Sequence, residues 1–172
     1  MSDQTMTADQ VGPRRLQALY ELHAAGAARL AYLLTGDRHL AEDVVQEAFV
    51  RAGLRLRHLR DSNSFRAYLR VTVVNLCRMH WRRESVRNAF LRRTRPPAPV
   101  YQPDIEQRSQ IASALARLSP RQRTAIVLRY FEDLSEEQAA DVLGCSASAL
   151  KSLIHRAKEV LREELGGSHE PI

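Results

Sequence analysis

Ser135-Glu136-Glu137-Gln138-Ala139-Ala140-Asp141-Val142-Leu143-Gly144-Cys145-Ser146-Ala147-Ser148-Ala149-Leu150-Lys151-Ser152-Leu153-Ile154-His155-Arg156-Ala157 is the stretch that decides how this chain folds. Ser135 followed by Gln138 makes a capping box: the hydroxyl takes an N–H of the first turn and the amide reaches back to the cap. A short helix over 136–143 follows, with Ala139 and Ala140 small where another helix must cross closely. Gly144-Cys145-Ser146 is a three-residue turn, and glycine enters left-handed backbone without a Cβ penalty. A second helix over 147–165 carries Leu150, Ile154, Ala157 and Leu161 on one stripe. Its opposite side presents Ser148, Lys151, Ser152, His155 and Arg156, donors suited to a major-groove edge and its flanking phosphates. Leu153 is a large apolar residue beside that surface. Helices joined by such a turn form a DNA-binding helix-turn-helix. The competing reading is a helical hairpin whose charged side faces water.

Upstream, the same punctuation recurs. Ser119-Pro120-Arg121-Gln122 is a second capping box with Pro at the first helical position, and Asp104-Ile105-Glu106-Gln107 fits a third. Helices are expected over about 104–117 and 120–131 before the pair already described. Pro96, Pro97, Pro99 and Pro103 crowd one short stretch, and proline both lacks an N–H and blocks helix continuation. The chain therefore reads as a flexible tail at 1–13, a left unit at 14–95, a linker at 96–103, a right unit at 104–166 and a tail at 167–172. In the left unit a helix from Leu16 to Leu34 stops at Thr35-Gly36, and Asp37 can cap the next, about 38–57. Leu40, Ala41, Val44, Val45, Ala48, Phe49 and Ala52 cover one side of that second helix. Arg60-Asp61-Ser62-Asn63 is turn chemistry. Ser64 can cap a long helix over about 65–83, and a short one over 84–94 can follow. The fold class is all-α: two small helical domains and a proline-rich linker.

Composition agrees and narrows the function. Aromatics are 6% of 172 residues, and Gly and Pro number 7 each, too few for a protein built of hairpins. Lys and Arg total 26 against 20 Asp and Glu, a net of +6. Residues 61–95 carry 9 basic and 2 acidic side chains, while 1–60 net +1 and 96–172 net −2. All nine of those basic residues are Arg, the side chain suited to phosphates and base edges. That concentration points to a polyanionic partner. Two cysteines, Cys77 and Cys145, and six scattered His make no metal-ligand spacing, so neither metal nor cofactor is expected. No apolar run of about 18 residues predicts a membrane span. The polar start is no signal peptide, so a cytoplasmic protein with reduced thiols is expected.

Two faces of the left unit call for partners. Asp43, Gln46, Glu47 and Val50 align at i, i+3, i+4 and i+7, away from the Leu40/Val44/Ala48 side. An apolar Val among acidic and amide groups suits an interface with a basic partner. On the long helix, Phe65, Leu69, Val73 and Leu76 face inward, whereas Tyr68, Asn75, Arg78 and Arg82 share the outer face. Arg supplies phosphate contacts, Tyr a stacking surface, and Asn a donor and an acceptor for a base edge. Trp81 and His80 read as packing residues. An enzyme is disfavoured: Asp43 and Glu47 could suggest a metal pair, but no further ligand faces them, and no Gly-rich phosphate loop or nucleophile motif occurs.

These segments resemble a known family. Leu118-Ser119-Pro120-Arg121-Gln122-Arg123 with Ile126-Val127-Leu128-Arg129-Tyr130-Phe131, then Leu134 to Cys145 and Lys151 to Ala157, are similar to domain 4 of sigma-70-type factors. Leu34-Thr35-Gly36-Asp37, Ala41-Glu42-Asp43-Val44-Val45-Gln46-Glu47-Ala48-Phe49, Phe65-Arg66-Ala67-Tyr68-Leu69 and Val74-Asn75 resemble domain 2. The match covers about 20–165. Domains 2 and 4 without a domain 3 are the layout of extracytoplasmic-function (ECF) sigma factors, here of the actinobacterial SigE-like kind. The resemblance implies promoter DNA and core RNA polymerase as partners, through the β′ clamp helices and the β flap. It gives Asp43, Gln46, Glu47 and Val50 to polymerase docking. Asp61, Ser62 and Asn63 in the His58–Ser64 loop, with Tyr68, Asn75, Arg78 and Arg82, fall to the −10 element, where one base leaves the stack for a loop pocket. The helix with Ser148, Lys151, Ser152, His155 and Arg156 falls to the −35 element. An anti-sigma protein is a further implied partner, the free chain is expected as a monomer, and the linker is expected to thread toward the polymerase active-site channel. Ser148-Ala149 replaces a usual Gly-Thr, Leu153 a common Arg and Val71 a frequent Arg; these departures bear on which promoter is read. The alternative function is a one-component helix-turn-helix regulator that binds operator DNA as a dimer.

Overall fold

A computed structural model describes residues 8–94 and 110–166, with side chains placed over 12–90 and 110–163. The linker 96–103, the capping box at Asp104, residues 1–7 and the tail 167–172 lie outside the described residues. Among those described there are seven helices and no strand: α1 (Ala8–Thr35), α2 (Arg38–Leu54), α3 (Ser62–Thr94), α4 (Gln110–Ala116), α5 (Pro120–Tyr130), α6 (Glu136–Leu143) and α7 (Ala147–Gly166). No described helix is long and apolar enough to cross a membrane.

Helices α1 to α3 pack mutually around Leu30, Leu34, Ala48, Phe49, Phe65 and Val73. The stripe expected on α2 is the buried one, with Ala41, Val44, Val45, Ala48, Phe49 and Ala52 all inside and Leu40 at its margin. Asp37 caps α2 by accepting from the Leu40 N–H at 3.1 Å. α2 ends at Leu54 rather than near 57, where hydrogen bonds of the i→i+3 type tighten residues 52–59 into turns. α1 starts at Ala8, inside the stretch expected as a tail, and carries Pro13 in its second turn. Proline there removes one N–H from the ladder and crowds the carbonyl four residues back, in the first turn of the helix.

α3 also differs from expectation. Asp61, not Ser64, caps it: the Asp61 carboxylate accepts from the Ser64 N–H at 2.7 Å while the Ser64 hydroxyl donates back to the Asp61 carbonyl. The segment 84–94 is no separate helix but the continuation of α3, because no Gly or Pro interrupts 62–94.

In the right unit both described capping boxes form, Ser119 with Gln122 and Ser135 with Gln138. Between α5 and α6 the chain turns through Asp133 at φ 51, one of the few residue types tolerant of that region. The core is Leu128, Val127, Leu143, Leu150 and Ala157.

The two units touch. α1 and α3 pack on α4, α5 and α6, and the buried apolar residues of both form one continuous cluster. Arg123 of α5 organises the seam. Its Nε donates to Leu115 O at 2.8 Å, and its terminal nitrogens donate to Leu34 O at 2.7 Å and Ala116 O at 3.2 Å. One guanidinium thus gathers carbonyls from the C-terminal ends of α1 and α4, where the helix dipole favours a cation. The same group lies over the Trp81 ring, and Arg29 lies over Phe131. Trp81 is a packing residue, as expected.

Candidate nucleic-acid interface

The helix-turn-helix has the expected geometry. Gly144 ends α6 at φ 68, ψ 47, and Cys145 N–H returns to Ala140 O at 3.0 Å. A Cβ on Gly144 would meet nothing within 4 Å, so the glycine is there for its backbone angle rather than for space. Ser146 opens α7 by accepting from the Ala149 N–H at 3.1 Å. Leu150, Ile154 and Ala157 turn into the core. Ser148, Lys151, Ser152, His155 and Arg156 are all exposed along the other side. Leu153 is half-buried against the core, so it does not break the polar surface.

The contacts these side chains make are short-range. The Lys151 ammonium lies 3.1 Å from Glu136, and His155 lies 3.4 Å from Glu159. Both pairs are largely exposed, and such pairs are worth about 0–1 kcal/mol. A phosphate can displace them. Ser152 donates to Ser148 O, and Arg156 uses its Nε on Ser152 O, one of five guanidinium N–H groups.

The α3 face is more entangled with the fold. Asn75 and Arg82 are exposed, as expected of base and phosphate contacts. Tyr68 is half-buried and packs on the core, which leaves part of its ring for stacking. Arg78 is exposed but donates to Leu143 O, at the end of α6, at 3.3 Å. In the preceding loop, Asp61 is a cap, and the hydrogen bond from Ser64 N–H holds its carboxyl below the usual range. Ser62 and Asn63, expected in that loop, instead form the first turn of α3; the Ser62 hydroxyl is 2.9 Å from His23 Nε2, and Asn63 is exposed. Burial, then the Arg66 charge, depresses the His23 pKa, so its neutral form is favoured. Asn63, Arg66, His23 and Arg70 line a cleft of about 330 Å³.

Two features of this region escaped the sequence reading. Arg15 of α1 donates to Leu56 O at 3.3 Å and Arg60 O at 3.1 Å, and also bonds to Leu59 O. It pins the loop that precedes α3 from forty residues away, and no local pattern reveals that. Leu54 is the other: it is 83% exposed, one turn beyond Val50 at 64%. Its i+4 spacing from Val50 is visible in the sequence, but the outer face read there stops at Val50.

On α2, Asp43, Gln46, Glu47 and Val50 are all exposed and share the side opposite the core. Glu47 pairs with Arg51 at 2.5 Å, an exposed i,i+4 contact. The surface is thus an acidic and amide patch bordered by Val50 and Leu54. Cys77 is buried and its thiol is pushed up to about 12, so it is inert packing.

Residues 19–87 match the model of sigma-70 region 2, and residues 108–161 that of sigma-70 region 4. The chain is 34% identical over 139 residues to an RNA polymerase sigma-E factor of Streptomyces coelicolor, covering 80% of this chain and 78% of that one. It is 32% identical over 167 residues to the ECF RNA polymerase sigma factor SigE of Mycolicibacterium smegmatis, covering 92% of this chain but only 65% of that protein's length. Among solved structures it shares its fold with the sigma factor RpoE, in complex with the anti-sigma factor NepR, from Bartonella quintana. The TM-score is 0.70 at 23% identity, over 91% of this chain and 99% of that one. The chain belongs to the ECF sigma factors of the sigma-70 family.

Proposed function

We propose that this protein binds core RNA polymerase and directs sequence-specific promoter recognition and transcription initiation from the cytoplasm. The observation that carries the reading is that two separate faces suited to nucleic acid lie on one chain. α7 offers an exposed recognition surface for duplex DNA, and α3 offers Asn75, Arg82 and part of Tyr68 beside a cleft. An operator-binding regulator needs only the first. It also needs a ligand or phosphoacceptor unit, and the region 2 match occupies the stretch where that unit would lie.

In this reading Asp43, Gln46, Glu47 and Val50, with Leu54, dock α2 on the β′ clamp helices, and the right unit reaches the β flap. Ser148, Lys151, Ser152, His155 and Arg156 read the −35 element. Asp61, Ser62 and Asn63 shape the loop that receives an unstacked −10 base, and Tyr68, Asn75, Arg78 and Arg82 hold the adjoining strand. Asp61 and Ser62 act by positioning this segment, since Asp61 is bonded to Ser64 and Ser62 to His23 of α1. The units divide as 14–95 and 104–166 around the linker. An anti-sigma protein would control the factor by covering one of these faces. The test is run-off transcription with core polymerase on a library of genomic promoter fragments. Discrete transcripts that require this protein are expected; transcription no different from core polymerase alone would remove the reading.

A further inference from the structure

Past Arg78, α3 carries a surface that neither unit's core explains. The side of α3 turned to the right unit runs through Arg70, which pairs with Glu132 at 2.8 Å, then Trp81, Ser85 and Asn88 beside Pro120 of α5. The opposite side holds Met79, Val86 and Phe90, and Val86 and Phe90 are 65% and 66% exposed. At about 100° per residue, Val86 and Phe90 each point within about 20° of the direction of Met79. Arg82 falls about 60° to one side of that line, and Arg83 and Arg87 about 40° and 80° to the other. Together these residues line an open groove of about 570 Å³. Glu84 is the one acidic residue between 79 and 90, and it sits off the stripe, paired with Arg87 at 2.6 Å and partly exposed. A pair of that kind is weak enough for a phosphate to replace it.

An apolar line with arginines on both flanks fits an α-helix seated in the major groove of duplex DNA. That groove is about 12 Å wide and admits one helix. The centre of the helix then meets base edges, where the methyl group of thymine is the apolar feature, and its flanks meet the phosphates of the two strands. An acidic protein helix would also match the arginines, but continuity favours DNA. Val86 is four residues beyond Arg82 and eleven beyond Asn75, so the stripe prolongs the row proposed for the −10 element. α3 begins at the loop assigned to the unstacked base and leads toward the unit assigned to the −35 element, so its far end falls to duplex upstream of the opening. We propose that Val86 and Phe90 are specificity-determining residues that read thymine methyl groups in the duplex between the two promoter elements, with Arg82, Arg83 and Arg87 on its phosphates. A rise of 1.5 Å per residue puts them about 16 and 22 Å beyond Asn75, or about five and seven base steps. The proposal rests on the sigma-factor reading of α3.

The test uses polymerase holoenzyme on a promoter found by run-off, with the duplex over about ten base steps upstream of the −10 element randomised and the open complexes sequenced. The wild type should enrich thymine about five to seven steps upstream of the base that Asn75 contacts. Phe90→Ala should erase the farther preference and Val86→Ala the nearer, so the losses should fall in the order of the residues along α3. Replacing the enriched thymine by deoxyuridine removes only the methyl group. It should weaken wild-type binding about three- to fourfold, the worth of one buried methyl, and leave the matching alanine variant unchanged. Arg83→Ala should instead lower affinity on every sequence and reduce the salt slope by about one. Val86 and Phe90 are exposed, so circular dichroism should not move in either alanine variant. An enzyme that opens the promoter with no thymine preference in this stretch, or that binds deoxyuridine as well as thymine, would overturn the proposal. So would a Phe90→Ala variant that loses capture of core polymerase, which would make the stripe a protein-docking surface. A holoenzyme that opens no fragment would remove the sigma-factor reading and the proposal with it.

Discussion

The two units build their proposed DNA faces by opposite means. In the right unit the candidate site stands apart from the fold: the capping boxes, Gly144 and the Leu150/Ile154/Ala157 stripe hold α7, and the five candidate side chains make only exposed bonds, within α7 or, for Lys151, to Glu136 of α6. In the left unit structure and site share residues. Asp61 caps α3, Ser62 is tied to His23, Tyr68 packs on the core and Arg78 is held by α6. The difference teaches that the proposed duplex face of the right unit is exposed as it stands, whereas the proposed strand face of the left is built into its fold.

The largest effect is expected where neither unit's fold is touched. Asp43→Lys with Glu47→Lys reverses the exposed α2 patch, and like-charge contact with a basic partner costs several kcal/mol. Affinity for core polymerase should fall by at least about a hundredfold, with an unchanged circular dichroism spectrum. Unaltered affinity would leave the left unit without a docking face and erase half of the contrast.

Within the right unit, Arg156→Ala should cost about 1–3 kcal/mol and relax selectivity at a single promoter position. Lys151→Ala should act more weakly and evenly across sequences, with a flatter salt slope, because its ammonium must first leave Glu136. Competition binding on a randomised −35 library distinguishes the two. If both variants behave alike, α7 is only an electrostatic surface.

Gly144→Ala probes how far the right unit's site depends on its turn. The space beside Gly144 is open, so the cost is conformational alone, about 1–2 kcal/mol. Thermal melting should drop by a few degrees, with −35 binding lost in proportion. No change in melting would mean that the turn is not fixed by that angle.

The smallest effect belongs to the left unit. His23 has a lowered pKa, so below about pH 6.5 the unfolded chain binds a proton that the folded chain resists. Its contribution to stability is complete above that pH and shrinks as pH falls through it. His23→Gln should therefore melt with less dependence on pH between about 7.5 and 5.5 than the wild type. An identical pH dependence would take His23 out of the account of the loop.

How much of this was legible follows the same division. The right unit could be read almost residue by residue, because capping boxes, Gly144 and the apolar stripe of α7 are local signals. The left unit was legible in its core and its exposed faces, as with Val44, Phe65 and Asn75. It was less so at its loop and ends. Asp61 and Ser64 are both good caps, and only backbone geometry decided for Asp61. Arg15 and Glu132 act on partners forty-one to sixty-two positions away, and no spacing rule carries information over such distances.

The central claim is that this chain brings polymerase to a promoter and holds the opened strand on α3. Permanganate reactivity of unpaired thymines, with core polymerase and the fragments found by run-off, measures that step directly. The wild type should expose thymines at discrete sites on duplex DNA. Asn75→Ala should bind polymerase normally and lose most of that opening, and its defect should shrink on a template already mismatched over the −10 region, where the few kcal/mol of unpairing is prepaid. Thymine reactivity that is the same with and without the protein, or an Asn75→Ala defect of equal size on both templates, would contradict it.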